Sequence, residues 1–332
     1  MMPKHFFPGF VFMMAALASQ AQQVKPLDIE LENYAYPYPV SYIGFQHQGE
    51  ALRMAYMDVK PAQSNGKTVL LLHGKNFNGA YWQQTAEALS QRGYRVVIPD
   101  QVGFGKSTKP ERVQYTFHFL AQNTRALLDT LQIRQAAVLG HSMGGMLATR
   151  FALMYPERVE KLILENPIGL EDWKRQVPYQ GIEVAYQQEL GQTYDKIKQY
   201  QLENYYGGQW KPAYDKWVAL LAGWTLDKNY PRVAWNAART SDMIFTQPVL
   251  YEFEDLRIPT LLIIGQRDRT AIGKNLAPKE VAATMGNYSK LGKQTAAKIK
   301  KSQLVELENV GHLPHIEAFS RFIIPLLDFL NK

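Results

Sequence analysis

Cysteine is absent from the 332 residues. That absence excludes disulfides, thiolate zinc sites, iron–sulfur clusters and a cysteine nucleophile together. Charge of neither sign dominates: 37 Lys and Arg face 30 Asp and Glu, a formal net charge of +7. A mild basic excess can favour anionic surfaces or ligands but says nothing about fold. No nucleic-acid module accompanies it, so no nucleic-acid partner is expected. No apolar run reaches the roughly 20 residues of a membrane-spanning helix, and no internal repeat or low-complexity tract occurs. Hydrophobic residues at 46% and charged residues at 20% are those of a folded soluble protein and exclude a disordered chain. At this length a core can form without a covalent or metal staple, as one large domain or two ordinary ones.

One short apolar run does stand out. Residues 6–18 follow Lys4 and precede Ser19-Gln20-Ala21. A positive end, a brief apolar segment and small residues at a cleavage point are the three parts of a secretory signal. Residues 1–21 are therefore expected to be a signal peptide, and the mature chain to be periplasmic or secreted, with no stable membrane insertion after cleavage. A chain without thiols suits an oxidising compartment, because nothing in it can mispair.

Residues 22–39 are polar and contain proline, and are expected to form a lead-in packed on the domain surface. Residues 41–45 and 52–59 alternate as in an antiparallel hairpin. Short apolar runs then appear at 69–72, 96–98, 137–139, 162–164 and 261–264. Helix-length amphipathic segments separate several of them, near 80–92, 117–131 and 143–154. This alternation indicates α/β architecture around a buried, mostly parallel sheet flanked by helices. Between 167 and 258 it stops. That stretch looks helical and holds 16 aromatic residues, five of the six Trp among them. We read it as a helical lid inserted into a core made of residues 22–166 and 259–332; a helical subdomain with its own aromatic core is the plainer alternative. The Lys-rich helix around 290–301 reads as a solvated face.

Gly140-His141-Ser142-Met143-Gly144-Gly145 links the run at 137–139 to the helix at 143–154 and matches G-x-S-x-G, a nucleophile elbow. Its serine sits on a sharp strand-to-helix turn, and the glycines leave room for neighbouring backbone. A serine hydroxyl needs a base to remove its proton. His312 follows the apolar run 304–307 and can swing over the carboxyl edge of the sheet. His315 competes with it. The base needs an orienting carboxylate: Asp268 follows the run at 261–264, and Glu165, at the end of another, is the alternative. The order Ser142, Asp268, His312 is that of Ser…Asp/Glu…His hydrolases. An oxyanion hole requires two backbone N–H donors. Met143 supplies one, and Lys75, in the loop after the run at 69–72, is expected to supply the other. The Lys75 side chain either points to solvent or enters the pocket, where it would meet an anionic group. His312-x-x-His315 lacks further metal ligands nearby. Gly105-Lys106-Ser107 is no P-loop, because Asp100 stands where the first glycine belongs.

These pieces together resemble the α/β-hydrolase superfamily, in its lid-bearing branch of esterases, meta-cleavage carbon–carbon hydrolases and proline iminopeptidase-like enzymes. The resemblance covers about residues 40–332. It rests on Leu72-His73-Gly74, on Pro99-Asp100-Gln101-Val102-Gly103-Phe104-Gly105-Lys106-Ser107, on the Ser142 elbow, on Gly265-Gln266-Arg267-Asp268 and on Gly311-His312-x-Pro314. It implies the α/β-hydrolase fold, a catalytic triad of Ser142, Asp268 and His312, oxyanion donors at Lys75 and Met143, and neither cofactor nor metal. Relatives with dehalogenase or epoxide hydrolase activity carry Asp at the nucleophile position, so Ser142 argues against both. His141 stands where meta-cleavage hydrolases often have Asn. The expected function is an exported serine hydrolase cleaving an ester or related acyl bond of a small, largely apolar substrate. The alternatives are a carbon–carbon or amide hydrolase with the same residues, and a non-catalytic binder of a hydrophobic ligand.

Overall fold

The short apolar runs all become strands of one sheet. In the computed structural model, which describes residues 24–332, these are β1 (Val40–His47), β2 (Glu50–Val59), β3 (Thr68–Leu72), β4 (Arg95–Pro99), β5 (Ala136–His141), β6 (Val159–Glu165), β7 (Thr260–Gly265) and β8 (Ser302–Leu307). The signal segment read over residues 1–21 lies outside the described residues. The sheet order is β1-β2-β4-β3-β5-β6-β7-β8. β2 is antiparallel to both β1 and β4, and every other pairing is parallel. β5 and β7 are buried along their whole length, and β3 and β4 nearly so. Helices cover both of their faces, which is why they read as continuous apolar runs.

Side chains alternate across the sheet with period two, and two hydrophobic clusters result. Leu70, Leu72, Val97, Val138, Leu162, Leu164, Leu262 and Ile264 face one side. There they meet α2 (Phe117–Thr130) and α3 (Met143–Met154), which follow α1 (Gln83–Gln91) in the chain. Val69, Leu71, Val96, Ile98, Leu139, Ile163, Leu261 and Ile263 face the other.

Between β6 and β7 the chain is helical: α4 (Ile182–Leu190), α5 (Tyr194–Tyr200), a π-helical turn (Gln201–Tyr205), α6 (Asp215–Thr225) and α7 (Tyr230–Thr246). After β7 come α8 (Lys279–Thr284) and α9 (Tyr288–Lys298), and after β8 come α10 (Pro314–Glu317) and α11 (Phe319–Asn331). α1 and α11 cover the second face of the sheet. Many of the insertion's rings pack on one another or on the core: Tyr206 stacks on Tyr214 at 3.9 Å, and Trp217 sets its edge against Phe77 and Tyr81. No helix among the described residues is long and apolar enough to cross a membrane.

The lead-in packs on the domain surface with Leu31 as its one fully buried residue, and it is anchored more firmly than its polar residues suggest. Leu31 packs with Leu220, Trp224, Tyr230 and Val233 of the insertion. Leu27 N–H donates to the Gly223 carbonyl at 3.0 Å, and Trp224 Nε1 donates to the Asp28 carbonyl at 3.1 Å. Toward the core, Tyr36 OH donates to Asp100 Oδ2 at 2.6 Å. Leu27 and Ile29 pack against the same cluster as Leu31, so one side of an otherwise polar segment is apolar.

Candidate active site

Ser142 holds φ +56° and ψ −121°, a conformation that L-residues rarely adopt. The elbow around it is set by lack of space. A Cβ on Gly140 would lie 2.1 Å from the Gly144 carbonyl oxygen, and one on Gly144 would lie 2.2 Å from the Leu72 carbonyl oxygen. Both clashes are with backbone, so only glycine lets β5, α3 and β3 come this close. Ser142 thereby stands at the N-terminal end of α3, just past the carboxyl end of β5.

The loops after β7 and β8 bring two more residues to it. His312 Nε2 is 2.9 Å from Ser142 Oγ, and His312 Nδ1 is 2.6 Å from Asp268 Oδ2. A carboxylate only accepts, so Nδ1 carries the proton and Nε2 accepts from the serine hydroxyl. Asp268 and His312 are fully buried. Asp268 Oδ1 accepts the Thr270 N–H at 2.8 Å, and Oδ2 also accepts from Asn166 Nδ2 at 2.8 Å. Asn166 in turn accepts the Gly265 N–H at 2.8 Å. Apart from its position directly after a strand, Asn166 carries no sequence signal of this role.

The competing residues pair with each other. His315 Nδ1 and its backbone N–H both meet Glu165 Oε1 at 2.8 Å, and the imidazole stacks on Trp82. Neither side chain hydrogen-bonds to Ser142 Oγ, although the Glu165 carbonyl accepts the Ser142 N–H at 3.2 Å. No group of three or more His, Asp or Glu side chains among the described residues is arranged to hold a metal.

The loop after β3 runs beside Ser142: a Cβ on Gly74 would stand 3.0 Å from Ser142 Cβ. Met143 opens α3, so its amide is one that a helix N-terminus leaves free. The Lys75 amide has no acceptor among the described residues. A buried relay fixes this loop. His141 Nε2 lies 2.8 Å from the His312 carbonyl oxygen, which can only accept. His141 Nδ1 must then accept from Tyr81 OH at 3.0 Å, and the Tyr81 oxygen accepts the Gly74 N–H at 2.9 Å. Burial, with His312 and His315 close by, pushes the His141 pKa well below the ordinary imidazole value and keeps this ring neutral.

A cavity of about 960 Å³ lies between this loop and the insertion. Lys75, Asn76, Phe104, Tyr200, Gln201 and Phe245 are among its lining residues, whereas Ser142 and His312 are not. Ser142 itself is 7% exposed. Tyr205 joins the two regions. Its hydroxyl accepts from Asn76 Nδ2 at 2.8 Å, its carbonyl accepts the His312 N–H at 2.8 Å, and its ring stacks on the His312 imidazole at 4.8 Å. The walls are more polar than the ring-rich sequence implied, with Gln180, Gln188, Gln192 and Gln199 also lining them. The Lys75 side chain enters this cavity and pairs with Glu189 at 3.0 Å.

Residues 67–319 match the family model described as alpha/beta hydrolase fold. A probable hydrolytic enzyme from Pseudomonas aeruginosa, known as a crystal structure, is 51% identical with a TM-score of 0.92; the alignment covers 93% of this chain and 100% of that one. A thermophilic esterase from Thermogutta terrifontis, 21% identical with a TM-score of 0.65 over 88% of this chain and 98% of its own, is alike in fold. A 2-hydroxy-6-oxononadienedioate/2-hydroxy-6-oxononatrienedioate hydrolase from Paraburkholderia phymatum is 36% identical over 126 residues, 37% of this chain and 43% of that protein. The chain matches less than half the length of such curated relatives.

Proposed function

The chain belongs to the alpha/beta hydrolase fold family, and from that premise we propose that it is a serine hydrolase acting on an ester or related acyl bond of a small molecule. One observation carries the reading: the unbroken series Ser142 Oγ, His312 Nε2, His312 Nδ1, Asp268 Oδ2, with links of 2.9 and 2.6 Å. Ser142 Oγ attacks the substrate carbonyl carbon while His312 Nε2 takes its proton. The oxygen of the tetrahedral intermediate is held by the Met143 and Lys75 amides, each such donor lowering the barrier by about 3–4 kcal/mol. His312 returns the proton to the departing alcohol. Water, activated by the same imidazole, then releases the acid and restores Ser142. Asp268 keeps the imidazole in one tautomer and stabilises its charge.

A second reading is supported by the hydrolases of oxo-dienedioates among the partial relatives. There the same residues would cleave a carbon–carbon bond next to a carbonyl. Export, with residues 1–21 removed, belongs to the proposal and agrees with a thiol-free chain.

The test is hydrolysis of a p-nitrophenyl ester series by the chain and its Ser142→Ala variant, with fluorophosphonate labelling alongside. Turnover lost in the variant supports the serine mechanism. Labelling of Ser142 without turnover of any ester shifts the reading to carbon–carbon or amide bonds. Label retained by Ser142→Ala overturns the assignment of the nucleophile.

A further inference from the structure

We infer that the substrate carries a carboxylate at a short distance from the scissile carbonyl, and that the Lys75 ammonium and the Gln201 amide receive it in the cavity. The inference rests on the serine-hydrolase reading, because the Lys75 backbone amide is there a donor to the carbonyl oxygen. Its side chain leaves the same residue and lines the cavity, with 17% of its surface exposed. One residue would thus hold both the reacting oxygen and a remote group of the substrate.

The counter-ion of Lys75 is Glu189 on α4, at 3.0 Å. A half-buried pair of this kind gives up hydration on both sides and contributes little to stability. Neutral residues would close the wall as well, so the charges point to a ligand. α4 buries none of its residues, so the Glu189 carboxylate is free to swing aside when another carboxylate takes its place.

Gln201 supplies an independent observation. Its side chain is fully buried, it lines the same cavity, and neither its Nε2 nor its Oε1 has a hydrogen-bond partner. A buried primary amide without partners is costly and calls for one. It also opens the π-helical turn Gln201–Tyr205, a local geometry that concentrates at functional sites. A carboxylate suits the pair, with one oxygen on the ammonium and the other on the amide N–H₂. The remaining Gln201 Oε1 can take a substrate hydroxyl or a water.

The experiment compares kcat/KM for mono-p-nitrophenyl adipate with that for p-nitrophenyl hexanoate, which has the same chain length without the carboxylate. The wild-type ratio is expected to favour the adipate half-ester at least tenfold. Lys75→Met should lower that ratio at least tenfold, Gln201→Leu about threefold, and Glu189→Gln should raise it by removing the competing carboxylate. Free adipate should inhibit wild-type hexanoate turnover competitively. A wild-type ratio near one, or a ratio unmoved in Lys75→Met while both esters slow together, overturns the carboxylate subsite and leaves the serine-hydrolase reading standing. Turnover of neither ester by the wild type, with no label on Ser142, overturns that reading instead. Should Lys75→Met fail to fold, an unmoved ratio in Glu189→Gln with no inhibition by adipate overturns the subsite equally.

Discussion

Asn166, just after β6, holds the Asp268 carboxylate that follows β7. Its amide donates to Asp268 Oδ2 and accepts the Gly265 N–H, so it fixes both the carboxylate and the turn that presents it. Its backbone, with φ +34°, is itself in the positive region. Removing one partner of a buried hydrogen bond leaves the other unsatisfied, at about 1–3 kcal/mol. Asn166→Ala is therefore expected to lower stability by about that amount and to reduce kcat by roughly tenfold with little change in KM, because the imidazole loses orientation and not substrate contact. Urea unfolding and steady-state kinetics on one p-nitrophenyl ester measure both. Nothing in the sequence marked this residue. Ser142 and Asp268 were legible because each follows a fully buried strand, and His312 because it follows the last strand of the same sheet; the carboxyl edge of a parallel sheet is where such residues meet. Asn166 does so as well, but its role appears only when residues 99 positions apart are brought together.

At the scale of elements, what sequence reasoning recovered and what it missed divide along one physical line. β3, β4, β5 and β7 are covered on both faces, so each is a run of apolar residues with no other plausible use. The lead-in lies at the junction of the insertion and the core, where only one side of the segment is covered, and its mostly polar residues mask Leu27, Ile29 and Leu31. It nonetheless ties α6 and the core together through Leu31, Gly223, Trp224 and Asp100. Leu31→Ala should cost about 2–5 kcal/mol, the usual range for truncating a fully buried leucine. Since the lost contacts lie on the insertion, limited proteolysis should first cut within residues 180–230 of the variant, ahead of the sheet. First cuts in the sheet would show that the lead-in braces the core alone. The ring-rich sequence of the insertion fits a lid and an aromatic core of its own alike. Much of its aromatic content is internal packing, since rings stacked edge and face supply a core to helices too short to build one from aliphatic residues.

The molecule as a whole carries its basic excess partly inside. Lys109 is fully buried, with its ammonium on the Gly105 and Ser107 carbonyls and 5.4 Å from the Trp224 ring. Burial lowers its pKa from 10.5 to about 7, with Asp100 opposing the shift. Between those values the unfolded chain binds a proton that the folded chain does not, so stability rises with pH across that window. The slope is at most about 1.4 kcal/mol per pH unit for one group. Lys106 and Lys161, also lowered by burial, act in the same direction. Above pH 10 the sign reverses. Tyr36, Tyr81, Tyr205 and Tyr288 have pKa values raised well above 10.0 by burial. There the unfolded chain loses phenolic protons that the folded chain retains, and stability falls. The urea midpoint should therefore climb from pH 7 to about 9 and drop beyond 10, and Lys109→Met should flatten the climb while leaving the drop in place. A midpoint in the variant that climbs as steeply as in the wild type would show that the Lys109 ammonium stays charged inside, held by its two carbonyls.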